Sequence, residues 1–161
     1  MKKVLLIALI VCMLLLLAAC PSGNPSSEPN DDGQDSNNEQ TDGGDEVNSM
    51  KIVIGNVEFT ATLYDTEAAQ AFAELLPLTL NMSELNGNEK YKYLSTTLST
   101  KTESVGTINA GDIMLYGNNC IVLFYKSFST PYSYTRIGKI NDVTGLQKAV
   151  GSGSVVVSFQ K

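Results

Sequence analysis

The sequence KIVIGNVEFTATLY, residues 51–64, consists of two runs rich in β-branched and aromatic residues on either side of Gly55 and Asn56. A two-residue Gly-Asn link between such runs is typical of a β-hairpin. In this register Ile52 lies opposite Phe59. Apolar and polar residues then alternate along the second run, which predicts one buried face and one face in water. The folded part of the chain is therefore predicted to begin with a hairpin that packs one face on a core.

Helices are predicted at two places after this hairpin. The pair Asp65-Thr66 is suited to an N-cap, and apolar residues from Ala68 to Leu76 recur at the spacing of a core-facing helix. A second, shorter helix is expected after a cap at Asp142 and is closed by Gly151. Both helices are short enough to serve only as caps on a larger β-structure.

The rest of the domain has the pattern of short strands. The apolar run 121–125 predicts a strand that is covered on both faces. Residues 83–90 are interpreted as a loop because they contain Asn-Gly-Asn and few apolar residues. A sheet of seven or eight strands has no exposed edges when it closes, so a barrel plugged by the two helices is predicted. The other predicted strands are Leu78–Met82, Val105–Ile108, Ile113–Tyr116, Tyr132–Ile140 and Val155–Phe159.

These segments together resemble the cyclophilin-like fold, in its small bacterial branch of cyclophilin-like proteins. The resemblance implies a mainly β structure, a closed cyclophilin-like barrel of about eight strands with two short capping helices, over residues 50–161. The stretches that carry it are Leu76–Leu80, Glu89–Tyr91, Gly111–Gly117, Leu123–Phe128 and Tyr132–Ile140.

Residues 1–19 are predicted to be a lipoprotein signal peptide. Two lysines precede an apolar run from Val4 to Ala19, which is shorter than the about twenty residues that span a bilayer. The run ends in LAAC, residues 17–20, which resembles the lipobox of bacterial lipoproteins. The resemblance implies lipidation of Cys20, so that acyl chains anchor the protein to the cell membrane on its extracytoplasmic side. The alternative is an ordinary signal peptide that meets a cysteine by chance.

The lipidated cysteine and an acidic disordered tether are predicted over residues 20–49. From Pro21 to Ser49 there are eight acidic residues and no basic residue, and such a segment buries too little apolar area to fold. The alternative is an acidic segment that collects metal ions or ligands. The net charge of −6 belongs to the tether, because residues 50–161 hold nine acids and nine bases. No basic patch remains for nucleic acid, which excludes that class of partner.

Histidine is absent from the sequence, which excludes Ser-His and Cys-His nucleophile pairs and His-ligated metal sites. Cys12 is removed with the signal peptide and Cys20 is acylated, so Cys120 is left as a free thiol and is interpreted as a small buried hydrophobe. Asp112 follows a glycine and is expected to accept hydrogen bonds from turn amides. We predict no catalytic residue, no metal, no cofactor and a monomeric domain.

The resemblance does not carry prolyl isomerase activity to this chain. True isomerases use an arginine that polarises the proline amide and a pocket lined by Phe, Gln and His. The lone arginine, Arg136, lies outside the position of that catalytic arginine, and the pocket histidine is absent. The resemblance places Tyr134 near the position of the histidine and Tyr125 near that of the pocket phenylalanine. A weak isomerase or folding helper is the alternative function, and an accessory domain that docks onto a protein is a third.

Aromatic residues are concentrated between Tyr116 and Tyr134. Tyrosine combines an apolar ring with a polar group, which suits a pocket for a small molecule or a peptide, and an arginine can bind a carboxylate. The alternative is that these rings pack the barrel core and that the arginine is only solvated. The candidate ligand-binding residues are Tyr116, Tyr125, Phe128, Tyr134 and Arg136.

Overall fold

The computed structural model describes residues 48–161, so the predicted signal peptide, Cys20 and nearly all of the predicted tether lie outside the described residues. Two helices and eleven strands occur in the described part. In chain order they are β1 Ser49–Ile54, β2 Val57–Leu63, α1 Glu67–Glu74, β3 Leu78–Leu85, β4 Glu89–Tyr93, β5 Glu103–Ser104, β6 Thr107–Ile108, β7 Asp112–Tyr116, β8 Cys120–Phe124, β9 Phe128–Ser129, β10 Ser133–Ile140, α2 Leu146–Val150 and β11 Val155–Gln160.

Eight of these strands close into an antiparallel barrel. Their order is β2-β1-β11-β3-β4-β8-β7-β10, and β10 pairs back onto β2. The short strand β5 extends the sheet beside β10, while β6 and β9 form a separate two-stranded ribbon. Closure leaves no free edge around the ring. The predicted closed barrel with two short helices is confirmed.

The hairpin of β1 and β2 has the predicted register. Ile52 lies opposite Phe59, and the alternate residues Phe59, Ala61 and Leu63 are buried while their neighbours face water. Gly55 adopts a φ of 60°, the left-handed conformation that a two-residue turn of this kind needs. The period-2 pattern therefore predicted the inward face of the first hairpin correctly.

Helix α1 begins and packs as predicted. The Thr66 side chain accepts a hydrogen bond from the Ala69 amide at 3.2 Å, and Glu67 lies in the first turn. Phe72 is fully buried and meets the ring of Phe159 edge to face, with centroids 5.5 Å apart. The helix thus packs an aromatic residue against the last strand of the barrel.

The predicted loop over residues 83–90 is wrong. Strand β3 continues to Leu85 and β4 starts at Glu89, so only three residues form the turn. Glu84 lies opposite Lys90 in this pairing. A charged pair replaces the apolar alternation on these strands, and the pattern of hydrophobic residues therefore did not reveal them.

Two other local predictions also need correction. Helix α2 has Gly145 at its N-cap without a side-chain bond, and Asp142 instead accepts from the Thr144 amide at 2.9 Å in the preceding turn. The predicted strand 105–108 is interrupted by Gly106, whose φ of 67° separates β5 from β6. The closing glycine of α2, Gly151, is placed as predicted.

Apolar side chains form two clusters on opposite sides of the barrel wall. The larger one fills the barrel under the two helices, and the smaller one lies on the outer face of β7, β8 and β10. Strand β8 contributes to both, because Ile121 and Leu123 point inward whereas Cys120, Val122 and Phe124 point outward. The prediction of a strand covered on both faces is confirmed.

Candidate functional site: an aromatic pocket on the outer face of the barrel

A pocket of ≈ 330 Å³ lies on the outer face of the barrel, over strands β4, β7 and β8. This volume is at the lower end of the range for small-molecule sites. Cys120 and Val122 of β8 contribute to the lining beside the tyrosines, and Leu85 and Asn86 reach it from the β3–β4 turn. The pocket therefore rests on the smaller apolar cluster rather than on the interior of the barrel.

Tyrosine rings form the walls of this pocket. Strand periodicity puts Tyr91 and Tyr93 on the same face of β4, with ring centroids 6.1 Å apart and planes at 87°. On the other side, the ring of Tyr116 lies 6.3 Å from that of Tyr132 and 5.6 Å from that of Tyr134. Two rings on one side and three on the other thus line the same space.

The exposure of the rings differs between the rim and the base. Tyr93 and Tyr132 are 60% and 59% exposed, whereas Tyr134 is 6% exposed. Tyr134 is held at the base by an edge-to-face contact with Phe124, which also packs against Phe128. The base is buried and closely packed, and the rim rings are open to a ligand.

The pocket contains one acidic group, the carboxylate of Glu89. This side chain is 8% exposed, and burial followed by the negative charge of Glu84 raises its pKa. Within residues 48–161 the Glu89 carboxylate forms no hydrogen bond or ion pair. No lysine or arginine is among the residues that line the pocket. The site is therefore aromatic and carries at most one negative charge.

The candidate residues from the sequence separate into three places. Tyr116 and Tyr134 line the pocket together, and Phe128 packs behind it on Phe124. Tyr125 lies on the opposite face of the wall, where its hydroxyl donates to Glu84 at 2.8 Å. The structure thus brings two of the five candidates together in one pocket.

Arg136 lies in a second cavity of ≈ 740 Å³ beside the N-terminus of α1, and several charged side chains line this cavity. Its Nε atom donates to the Glu103 carboxylate at 2.6 Å, and this hydrogen bond raises the pKa of the guanidinium. The arginine therefore does bind a carboxylate, but one that the chain itself supplies. Arg136 and the aromatic pocket do not form a common site.

Several lining residues were missed by the sequence analysis. Glu89, Tyr91 and Tyr93 alternate along β4, and this period of 2 is the signal that could have found them. The predicted loop over residues 83–90 includes the start of β4, so the alternation along this strand is not recognised from the sequence. Cys120 is buried as predicted, and burial raises the pKa of its thiol to about 11. Asp112 accepts from the Asn109 amide at 2.8 Å, which confirms its predicted role in a turn.

The native protein is expected to lose stability as the pH rises from 10 to 12. Burial, above all, raises the pKa of Tyr134 from 10.0 to about 12 and raises that of Tyr125 to the same value, with the hydrogen bond to Glu84 adding to the shift of Tyr125. The folded state holds these protons more tightly than the unfolded chain. The stabilisation is therefore complete below pH 10 and lost as the pH passes through 12.

Absorbance of tyrosinate, followed together with circular dichroism, measures this transition. Tyr134→Phe should remove part of the alkaline loss of stability. Normal titration of every tyrosine near pH 10 in the folded protein would contradict the expectation.

A closed eight-stranded antiparallel barrel with two short helices is consistent with a cyclophilin-like domain. In agreement with this, the family model described as the cyclophilin-like family matches residues 52–160. The chain belongs to the cyclophilin-like family. A search of curated proteins gives no significant match to it.

Proposed function

We propose that the protein is a lipoprotein anchored to the cell membrane on its extracytoplasmic side, and that its cyclophilin-like domain binds a small molecule or a peptide without catalysing a reaction on it. The observation that carries the binding role is the pocket walled by tyrosines on the outer face of the barrel. A buried ring at its base and exposed rings at its rim suit recognition of an organic ligand.

The charges around the pocket favour binding over prolyl isomerisation. Acceleration of the isomerisation requires a positive group that stabilises charge on the twisted amide. The lining offers the Glu89 carboxylate instead, and Arg136 is paired with Glu103 in the other cavity. The sequence has no histidine to serve in its place. In a protease-coupled assay on a proline peptide, we expect the full-length protein to give no acceleration over buffer.

The pocket itself is tested by a thermal-shift screen of metabolites and short peptides on the full-length protein. Tyr116→Ala is expected to weaken binding of any hit about tenfold, since the ring is exposed and its loss removes one wall. Tyr64→Ala is the matched control, because Tyr64 lines the second cavity. Equal loss in both variants, or none in either, would remove the aromatic pocket as the binding site.

Membrane attachment is proposed to depend on Cys20 alone. No helix within residues 48–161 is long and apolar enough to cross a membrane. Cys20→Ser is expected to abolish incorporation of labelled fatty acid. The variant is also expected either to leave the membrane fraction for a soluble or secreted fraction or to remain unprocessed. Cys12→Ser, in the apolar run, should change neither. Labelled lipid on the Cys20→Ser variant would contradict the anchor.

A further inference from the structure

The lining of the aromatic pocket contains one carboxylate and no lysine or arginine. Its one carboxylate belongs to Glu89, a residue that is 8% exposed, and within the described part of the chain this carboxylate has no hydrogen-bond donor or cation as a partner. Even partial removal of an unpaired carboxylate from water is unfavourable, and burial, with the charge of Glu84 second, raises the pKa of this group. Lys90, the next residue, does not relieve this cost because it points to the other side of the strand and pairs with Glu84.

The rings around the carboxylate have the electrostatic character that a cation needs. The face of a tyrosine ring carries partial negative charge, and several rings around one space attract an alkylated ammonium group without requiring it to shed a tightly held water shell. Tyr91 and Tyr93 are arranged edge to face on one side, and Tyr116 and Tyr132 are arranged edge to face on the other. The two rings of each pair are therefore nearly perpendicular, and the two pairs line the pocket together.

We infer that this pocket binds a small organic cation, an alkylated ammonium group, with the Glu89 carboxylate as its counter-ion and the tyrosine rings as its walls. The inference rests on the proposed binding function and names the ligand class for the same site. Charge complementarity selects this class, because an anion would meet an unpaired carboxylate. A divalent metal ion would find a single carboxylate, and no group of three or more His, Cys, Asp or Glu ligands occurs within residues 48–161.

Calorimetric titration of the full-length protein in a non-ionic detergent tests the inference. The probes are choline chloride and its neutral isostere 3,3-dimethyl-1-butanol, at equal ionic strength set with sodium chloride. The isostere has nearly the same shape without the charge. Choline is expected to bind at least about tenfold more tightly than the alcohol.

Glu89→Gln keeps the size of the side chain and removes its charge. This variant is expected to weaken choline binding about tenfold and to leave binding of the alcohol unchanged. Its melting temperature should not fall, since the change removes a partly buried charge that has no partner in the described part of the chain. An unchanged melting temperature would show that the fold of the variant is intact. Glu58→Gln is the matched control, because Glu58 lies exposed on β2 in a surface ion pair with Lys51.

Equal affinity for choline and the alcohol, or equal choline affinity in Glu89→Gln and the wild type, overturns the cation inference. Failure of choline to bind at all also overturns it. In each case the proposed function stands if the thermal-shift screen yields a ligand whose binding depends on Tyr116. The proposed function itself falls if no metabolite or peptide in that screen binds at the pocket.

Discussion

Replacing Lys90 by methionine is expected to lower the free energy of unfolding by about 3 kcal/mol. The Lys90 side chain is fully buried, and its ammonium group pairs with the Glu84 carboxylate. It also donates to the carbonyl oxygens of Gly151 and Gly153, at 3.0 and 2.6 Å. All three protons of the ammonium group are thereby used. Methionine fills a similar volume but leaves these three acceptors without their donor.

The loss is largest where Glu84 is ionised. Burial acts to raise the pKa of Glu84, but the hydrogen bonds from Lys90 and Tyr125 and the positive charge of Lys90 outweigh it, and the pKa is lowered from 4.5. A lowered folded pKa stabilises the protein above pH 4.5, and this contribution is lost as the pH falls through the folded value. The difference between Lys90→Met and the wild type should therefore shrink in acid.

Unfolding by urea, followed by circular dichroism at neutral pH, measures the effect of the substitution. Lys92→Met is the control, because Lys92 lies two residues further along the same strand and is exposed. It should remain within about 0.5 kcal/mol of the wild type. A loss below about 1 kcal/mol in Lys90→Met would mean that water replaces the ammonium group at its acceptors.

Gly138→Ala is expected to cost about 3 kcal/mol, the upper end of the range for overpacking. A Cβ atom at Gly138 would lie 2.6 Å from the carbonyl oxygen of Thr62 and 3.1 Å from the Cα of Leu63. Both are backbone atoms of β2 and cannot rotate away. Gly138 pairs with Leu63 at the point where β10 closes the barrel onto β2. The methyl group therefore forces apart the pairing that closes the ring.

Gly153→Ala is the matched control for this substitution. A Cβ atom at Gly153 meets no atom within 4 Å, so the variant should unfold within about 0.5 kcal/mol of the wild type. Hydrogen exchange of the amides in β2 and β10 locates the effect of Gly138→Ala. Unchanged protection there, with unchanged stability, would show that the two strands separate without cost.

The parts of the fold that follow from local patterns were predictable. The alternation of apolar and polar residues predicts the inward face of β2, and the cap at Thr66 predicts the start of α1. The apolar run 121–125 indicates a strand with two covered faces. Closure of the barrel was predicted from the need to cover strand edges and from the resemblance. The strand order itself depends on pairings between distant residues, such as Gly138 with Leu63, which no local pattern encodes.

The candidate site was predicted less completely, and the reason is a charged pair. Lys90 is a buried residue that a hydropathy pattern assigns to the surface, and its partner Glu84 has the same effect on β3. Because the β3–β4 hairpin is predicted as a loop, the sequence does not predict the side of the pocket formed by Glu89, Tyr91 and Tyr93. Tyr116 and Tyr134 were identified because aromatic residues are dense in that part of the sequence.

The pairing of β1 with β11 joins strands from the two ends of the domain sequence. Lys51 lies beside Gln160, so the first strand of the domain is bonded to the last. The hairpin of β1 and β2 can form early because its contacts are local, but one edge of β1 stays unpaired until β11 arrives. Contacts between such distant positions form slowly, because a long loop must close first. A nascent domain therefore carries an open sheet edge until its final strand has emerged.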